Sequence, residues 1–176
     1  MREKIRPFRD GDAPAVRLVH SRAFGGREGE ARLVELLHAA GAASISLVAT
    51  TPPDGRVVGH VLFSPVELLD GHGGGPPAMA GLAPVAVLPE HHGQGIGSRL
   101  IRDGLEACRE AGYAAAVVLG EPGYYSRFGF ERASAAALSN EYGVDDHFMV
   151  AELADGALGR AGGMVRYRSE FDELEG

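Results

Sequence analysis

Residues 89–98 read PEHHGQGIGS: two adjacent histidines, then three glycines alternating with Gln94 and Ile96. Histidines can ligate a metal, and glycines at a helix start can cradle an anion. His91 and His92 diverge as chain neighbours, and no His or Cys partner stands at helix or hairpin ligand spacing, so no metal site is expected. Asp145-Asp146-His147 is likewise read as a polar loop leading into a strand. Gly93, Gly95 and Gly97 lack Cβ atoms, so their backbone N–H groups can approach an anion closely. The first N–H groups of a helix are unpaired, and the helix dipole adds positive potential there. The stretch is therefore a candidate phosphate or pyrophosphate cradle. A dinucleotide loop needs a third glycine where Ser98 stands, and belongs on an early strand. A P-loop needs a lysine between Gly97 and Ser98. Both readings fail on specific residues.

The elements around the loop must place it. Lys4–Phe8 reads as a short strand, and Asp12 as the cap of a helix over Ala13–Phe24, with Val16, Val19 and Ala23 at helical spacing. A second helix over about Glu28–Ala40 turns Leu33, Val34, Leu36 and Leu37 inward and stops at Gly41. Ser44–Thr51 alternates as a strand. Pro52–Gly55 is a turn, so Arg56–Glu67 should return antiparallel. Leu69–Pro77 is a glycine-proline loop, and Ala78–Val87 is the strand feeding the motif. From Ile96 to about Gly112, Leu100, Ile101, Leu105 and Cys108 keep a helical period. Ala114–Leu119 is continuously apolar, as a strand buried on both faces requires. A strand–helix–strand unit in one sheet makes the two strands parallel. Glu121–Phe128 is a short helix or turn. Gly129–Arg132 and His147–Glu152 form a hairpin with a long excursion over Ala133–Asp146, and Gly163–Phe171 is a last strand.

Composition excludes several classes. The chain has 176 residues and one cysteine, with a net charge of −7. That length suits a single domain over residues 1–176 that folds without a metal or disulfide staple. The negative charge argues against nucleic acid and against an anionic membrane surface. A lone Cys108 makes no internal disulfide, and the N-terminus lacks a signal peptide's apolar run, so a cytoplasmic location is expected.

Three segments together carry a family resemblance. LAPVAVLPEHHGQGIGSRL (82–100) resembles the acyl-CoA-binding motif of the GNAT acetyltransferase superfamily, Arg/Gln-x-x-Gly-x-Gly/Ala entered from a hydrophobic strand. His92 stands where that family has Arg or Gln. GEPGYYSRFGF (120–130) resembles its later segment, with Tyr125 four residues before Gly129-Phe130. IRPFRDGDAPAV resembles its first strand and helix. With SLVAT, VVGHVLFSPV and HFMVAEL, the whole is similar to a subgroup of bacterial N-acetyltransferases.

The resemblance implies a GNAT fold: an α/β (α+β), mostly antiparallel sheet of six to seven strands with a central, splayed parallel pair and helices on both faces. It implies acetyl-CoA as cosubstrate, with no metal. Backbone groups of Val85, Ala86 and Val87 would take the pantetheine arm, one N–H polarising the thioester carbonyl. His92, Gly93, Gln94, Gly95, Ile96, Gly97 and Ser98 would hold the pyrophosphate. Tyr125 is the expected general acid for the departing thiolate. Glu121 is the named base, with Glu67, His60 and Glu152 as other groups able to line the pocket, or a water chain in their place. Ser21–Glu30 is either a wall of the acceptor site or a plain helix linker. Cys108 falls on the apolar helix face, so no acyl-cysteine intermediate is expected and transfer should pass through a ternary complex. The acceptor is a small-molecule or peptide amine of open identity, and a homodimer through the C-terminal strands is left open. The rival reading is a non-catalytic acyl-CoA-binding sensor or interaction module on the same fold. A further one is transfer of a longer acyl chain or transfer to a hydroxyl.

Overall fold

In the computed structural model, residues 2–69, 77–160 and 162–175 are described, so most of the expected glycine-proline loop, residues 70–76, lies outside them. Contacts divide the chain into two units: Met1–Ser64, Ala83–Gly104 and Ser169–Gly176 in the first, Pro65–Leu82 and Leu105–Arg168 in the second.

The first unit begins with strand β1 (Lys4–Pro7) and the helices α1 (Ala13–Ala23) and α2 (Gly29–Ala39). Pro14 suits the first turn of α1, where its missing N–H costs nothing. Asp12 precedes α1 as expected but does not cap it with its side chain. Its carboxylate instead takes the Arg6 guanidinium at 2.8 and 2.9 Å and the Arg9 N–H at 2.8 Å. The strand β2 (Ile45–Thr51) and the longer β3 (Arg56–Leu69) form the expected hairpin, with Thr51 opposite Arg56 and Val48 opposite His60. β1 pairs antiparallel with the other edge of β2. β4 (Met79–Val87) follows, and its last part is fixed here by the Leu88 N–H on the Val58 carbonyl at 2.8 Å. The motif helix α3 (Ile96–Glu110) starts in this unit. Leu33, Leu37, Val48, Val61, Phe63 and Leu100 are fully buried. Each such side chain withdrawn from water is worth about 2 kcal/mol. The tail of the chain returns as a 3-10 helix (Ser169–Glu175), Leu174 lying against Gly29 of α2. The expected last strand therefore ends early.

The second unit is built on β5 (Ala115–Leu119), whose first four residues are buried, as its unbroken apolar run requires. Its parallel ladder with β4 joins Met79, Ala80 and Gly81 to Ala115, Ala116 and Val117. Pro84, beyond the last ladder residue, has no N–H to offer a neighbour. After β5 come the short helix α4 (Pro122–Tyr125) and β6 (Glu131–Arg132), which pairs with β8 (Phe148–Glu152). β8 also runs antiparallel to β5, Leu119 opposite Phe148. The excursion between β6 and β8 holds β7 (Leu138–Asn140), parallel to β9 (Gly163–Arg166), which in turn pairs with the end of β3. The described strands number nine, seven of them along one hydrogen-bonded path, β7 and β9 branching from it. The expected mixed, mostly antiparallel sheet with the parallel β4–β5 pair is what forms, and β7–β9 adds a second parallel pair that was not expected. Its extra strands are pieces of two to four residues. Among the described residues no helix is long and apolar enough to cross a membrane.

Candidate functional site

The glycine loop is shaped by its two ends. Leu88 is buried after β4, Pro89–His91 make one 3-10 turn, and Ile96 is buried at the start of α3. Between these anchors Gly93 has φ +77° and Gly95 φ +79°. That left-handed region costs a side chain about 1–2 kcal/mol. Nothing lies within 4 Å of where a Cβ would stand on either residue, so the loop is open above its backbone. The first bond into α3 runs from the Arg99 N–H to the Gly95 carbonyl at 3.1 Å. Among the described residues, the N–H groups of Gly93, Gln94, Gly95, Ile96, Gly97 and Ser98 have no backbone acceptor. Six consecutive donors at the start of a 15-residue helix suit a diphosphate.

His92 is exposed, and its Nε2–H donates to the Val87 carbonyl at 2.8 Å. Its ring is thus held on the strand end, and the Val87 carbonyl, expected to be open, is occupied. Val85 and Val87 are half-buried, with Ala86 turned inward between them. A Cβ on Gly59 of β3 would come within 3.0 Å of Leu100 and 3.4 Å of both Ile96 and the Ala86 carbonyl. Glycine at 59 lets β3, the end of β4 and the start of α3 meet. The same region is tied from outside: Glu90 pairs with Arg22 at 2.7 Å and with Arg56 at 3.5 Å. In the segment Ser21–Glu30, the Ser21 hydroxyl donates to Glu28 at 2.7 Å.

In the second unit Tyr125 closes α4. Its ring meets Tyr124, Phe128 and Phe130 edge-on, with centroids 5.0, 6.2 and 5.7 Å away. It also lies over Gly120, where any Cβ would overlap the ring. Burial first, then Tyr124, pushes its phenol up to about 12, so it carries its proton throughout the neutral range. The Tyr124 and Tyr125 rings stand at 88°, and Tyr124 instead takes the Arg127 guanidinium at 4.4 Å.

The expected bases are placed as follows. Glu121 precedes α4, its carbonyl accepting the Tyr124 and Tyr125 N–H groups, its largely exposed carboxylate 3.4 Å from His147. Glu67 is bonded by Arg166 at 3.2 Å, and Glu152 accepts the Gly156 and Leu158 N–H groups. His60 is wholly buried in the first unit. It is joined there to His20, Ser46 and His38, which sequence reasoning missed. The available signal was His60 itself, a polar residue inside the apolar run VVGHVLF. Cys108 is buried, and burial pushes its thiol up to about 12, so it is a core group rather than a thiolate. Asp145 and Asp146 pair with Arg132. Among the described residues no three His, Cys, Asp or Glu side chains are grouped to hold a metal ion.

Residues 4–133 match the family model described as an acetyltransferase (GNAT) domain. The chain is 40% identical over 164 residues to the uncharacterized N-acetyltransferase YhbS of Escherichia coli K12, covering 93% of this chain and 95% of that one. It is similar to the crystal structure of the E. coli YhbS protein in complex with CoA: TM-score 0.89, 39% identity, 98% of this chain and 93% of that one. A GNAT family acetyltransferase from Brucella melitensis, in complex with acetyl-CoA, matches with TM-score 0.77 and 38% identity over 97% of this chain and 98% of that one. The resemblance carried by the glycine loop and the YYSRFGF segment thus holds along nearly the whole length, and the chain belongs to the GNAT N-acetyltransferases.

Proposed function

We propose that this acetyltransferase moves an acetyl group from acetyl-CoA directly to an amine, with both substrates bound at once and residues 1–176 acting as one domain. The observation that carries the reading is the run of six backbone N–H groups, Gly93–Ser98, without backbone acceptors among the described residues. The relatives crystallised with CoA and acetyl-CoA support the same cosubstrate. When bound, acetyl-CoA supplies a thioester carbon open to attack by an amine. Gly93, Gln94, Gly95, Ile96, Gly97 and Ser98 hold its pyrophosphate, Ile96 by fixing the helix start. Backbone groups of Val85, Ala86 and Val87 orient the pantetheine arm. An N–H at Ala86 or Val87, aimed at the thioester oxygen, would be worth about 3 kcal/mol of barrier. Tyr125 keeps a proton at neutral pH and is the general acid for the leaving thiolate. Glu121 remains the base named from the sequence, a solvated carboxylate beside His147. Cys108, protonated and buried, offers no covalent route.

The test is thiol release from acetyl-CoA across a panel of amines, in wild type and Tyr125→Phe, with acetyl-CoA binding followed calorimetrically. Turnover with at least one amine is expected, and Tyr125→Phe should lower kcat by about a hundredfold or more at unchanged acetyl-CoA affinity. Binding without turnover on any amine would overturn the transfer reading and leave a binding module. Tyr125→Phe with wild-type kcat would remove the general acid from the scheme.

A further inference from the structure

The turn after β5 carries a glycine that its backbone does not require. Gly120 follows Leu119, and its N–H donates to the His147 carbonyl at 2.8 Å. It thus extends the β5–β8 ladder by one bond beyond Leu119 and Phe148. Its φ lies outside the left-handed region, unlike that of Gly129 at +88° later in the same segment. Backbone strain therefore excludes a side chain at 129 but not at 120.

What excludes a side chain at 120 is Tyr125. Glu121 is extended, and its carbonyl accepts the Tyr124 and Tyr125 N–H groups at 3.1 and 3.0 Å, so α4 folds the chain back toward the end of β5. The Tyr125 ring then lies against the Gly120 Cα. A Cβ there would overlap Cε2 and stand 2.8 Å from Cδ2 and 3.3 Å from Cζ. Carbon atoms in contact keep about 3.5–4.0 Å apart. Neither partner has room to give. The Gly120 backbone is held by its bond to the His147 carbonyl. The ring is met edge-on by Tyr124, Phe128 and Phe130, and Phe130 is itself buried. Gly123, in the same turn, has nothing within 4 Å of where its Cβ would stand. The close approach belongs to position 120 and not to the turn as a whole.

We propose that Gly120 is the positioning residue of Tyr125: its bare Cα seats the tyrosine ring and thereby sets where the phenol oxygen stands for the departing thiolate. This deepens the acetyl-transfer reading and rests on Tyr125 as its general acid. Gly120 itself neither gives nor takes a proton. A general acid works only within hydrogen-bond reach of the atom it protonates, about 2.6–3.2 Å between heavy atoms. A Cβ at 120 would push the ring by about 1 Å, and a displacement of that size can cost about a hundredfold in rate. The seat has two walls from the sheet, since the His147 carbonyl beside β8 holds the Gly120 backbone against the ring.

Three measurements test the seat. In NMR of the free, tyrosine-labelled protein, the Tyr125 ring resonances are identified by their loss in Tyr125→Phe, and the ring currents of Tyr124, Phe128 and Phe130 set their positions. Gly120→Ala should move them and Gly123→Ala should not. Unmoved resonances in a folded Gly120→Ala, or equal movement in both variants, would overturn the seat. In urea melts, Gly120→Ala should lower the midpoint in the wild type and leave it unchanged on a Tyr125→Ala background, where the ring is gone. If Gly120→Ala alone does not fold, Tyr125→Ala should rescue it. An equal cost in both backgrounds, or no rescue, would place the need for glycine in the turn itself and overturn the proposal. In amine turnover, Gly120→Ala should lower kcat by about tenfold or more. Acetyl-CoA affinity should stay within about twofold. On a Tyr125→Phe background, which keeps the ring and lacks the acid, the same change should cost nothing further in kcat. A merely structural role would lower kcat by the same factor in both backgrounds, and that result, or wild-type kcat in a folded Gly120→Ala, would overturn positioning with acetyl transfer intact. Wild-type kcat in Tyr125→Phe, or turnover with no amine at all, would instead remove the acid or the reaction, and the role of Gly120 with it, whatever the ring resonances show.

Discussion

At the scale of single residues, His92 separates side-chain from backbone recognition. Its Nε2–H is spent on the Val87 carbonyl, so the ring secures the end of β4. Glutamine carries an N–H at similar reach and can make the same bond. His92→Gln should therefore leave CoA affinity within about twofold, well under the 1.4 kcal/mol that a tenfold change represents. Isothermal titration with CoA checks it, and a tenfold loss would mean that the ring touches the pyrophosphate after all. Tyr125 was singled out because GEPGYYSRFGF resembles a family segment, a pattern that is local in sequence, and its role as acid stays with the proposal. His20, His38 and Ser46 were not. They come from α1, α2 and β2, and no spacing rule links single polar residues on three separate elements.

At the scale of elements, two glycines of the motif segment have opposite jobs. Gly95 sits at φ +79° in open space, so alanine there meets no neighbour and suffers only backbone strain. Relief of that strain would turn the loop's N–H groups away from the anion. Gly104 lies in the helix against the Phe63 ring, where a Cβ would overlap. Gly95→Ala should thus weaken CoA binding by about tenfold or more while costing about 1 kcal/mol of stability. Gly104→Ala should cost about 1–3 kcal/mol of stability through overpacking, with CoA affinity preserved in the folded protein. Paired urea melts and CoA titrations read both; a swap of the two phenotypes would refute this division. The long elements were legible for the reason these glycines matter. The periods of α1, α2 and α3 and the apolar run of β5 extend over a turn or more of chain. β7 has three residues and pairs in parallel with β9 across a long separation, so no local pattern announces it, whereas β9 is the first part of the expected last strand, Gly163–Phe171.

At the scale of the whole molecule, the buried histidines make stability depend on pH. His20 is held near 4 by burial, against 6.5 for an exposed histidine, so the unfolded chain binds the extra proton first. Its neutral form stabilises the fold fully above pH 6.5, and that contribution drains away as pH falls toward 4. Between pH 7 and 5 the loss from His20 alone is about 2 kcal/mol, and His60 shifts in the same direction. Asp12 is also lowered, by the Arg6 guanidinium, but its contribution is lost only as pH falls from 3.8 through its folded value, outside this window. The net charge of −7 acts the other way, since protonation relieves self-repulsion. If residues 1–176 form one domain, as proposed, the histidine term should appear in a single cooperative urea transition. Its midpoint should be clearly lower at pH 5 than at pH 7, and His20→Asn should flatten that difference. Equal midpoints in the wild type, left equal in His20→Asn, would mean that the folded chain protonates His20 as readily as the unfolded one. Two transitions, with only one moving, would show that the units holding and lacking the histidine chain fold separately, against the single-domain proposal.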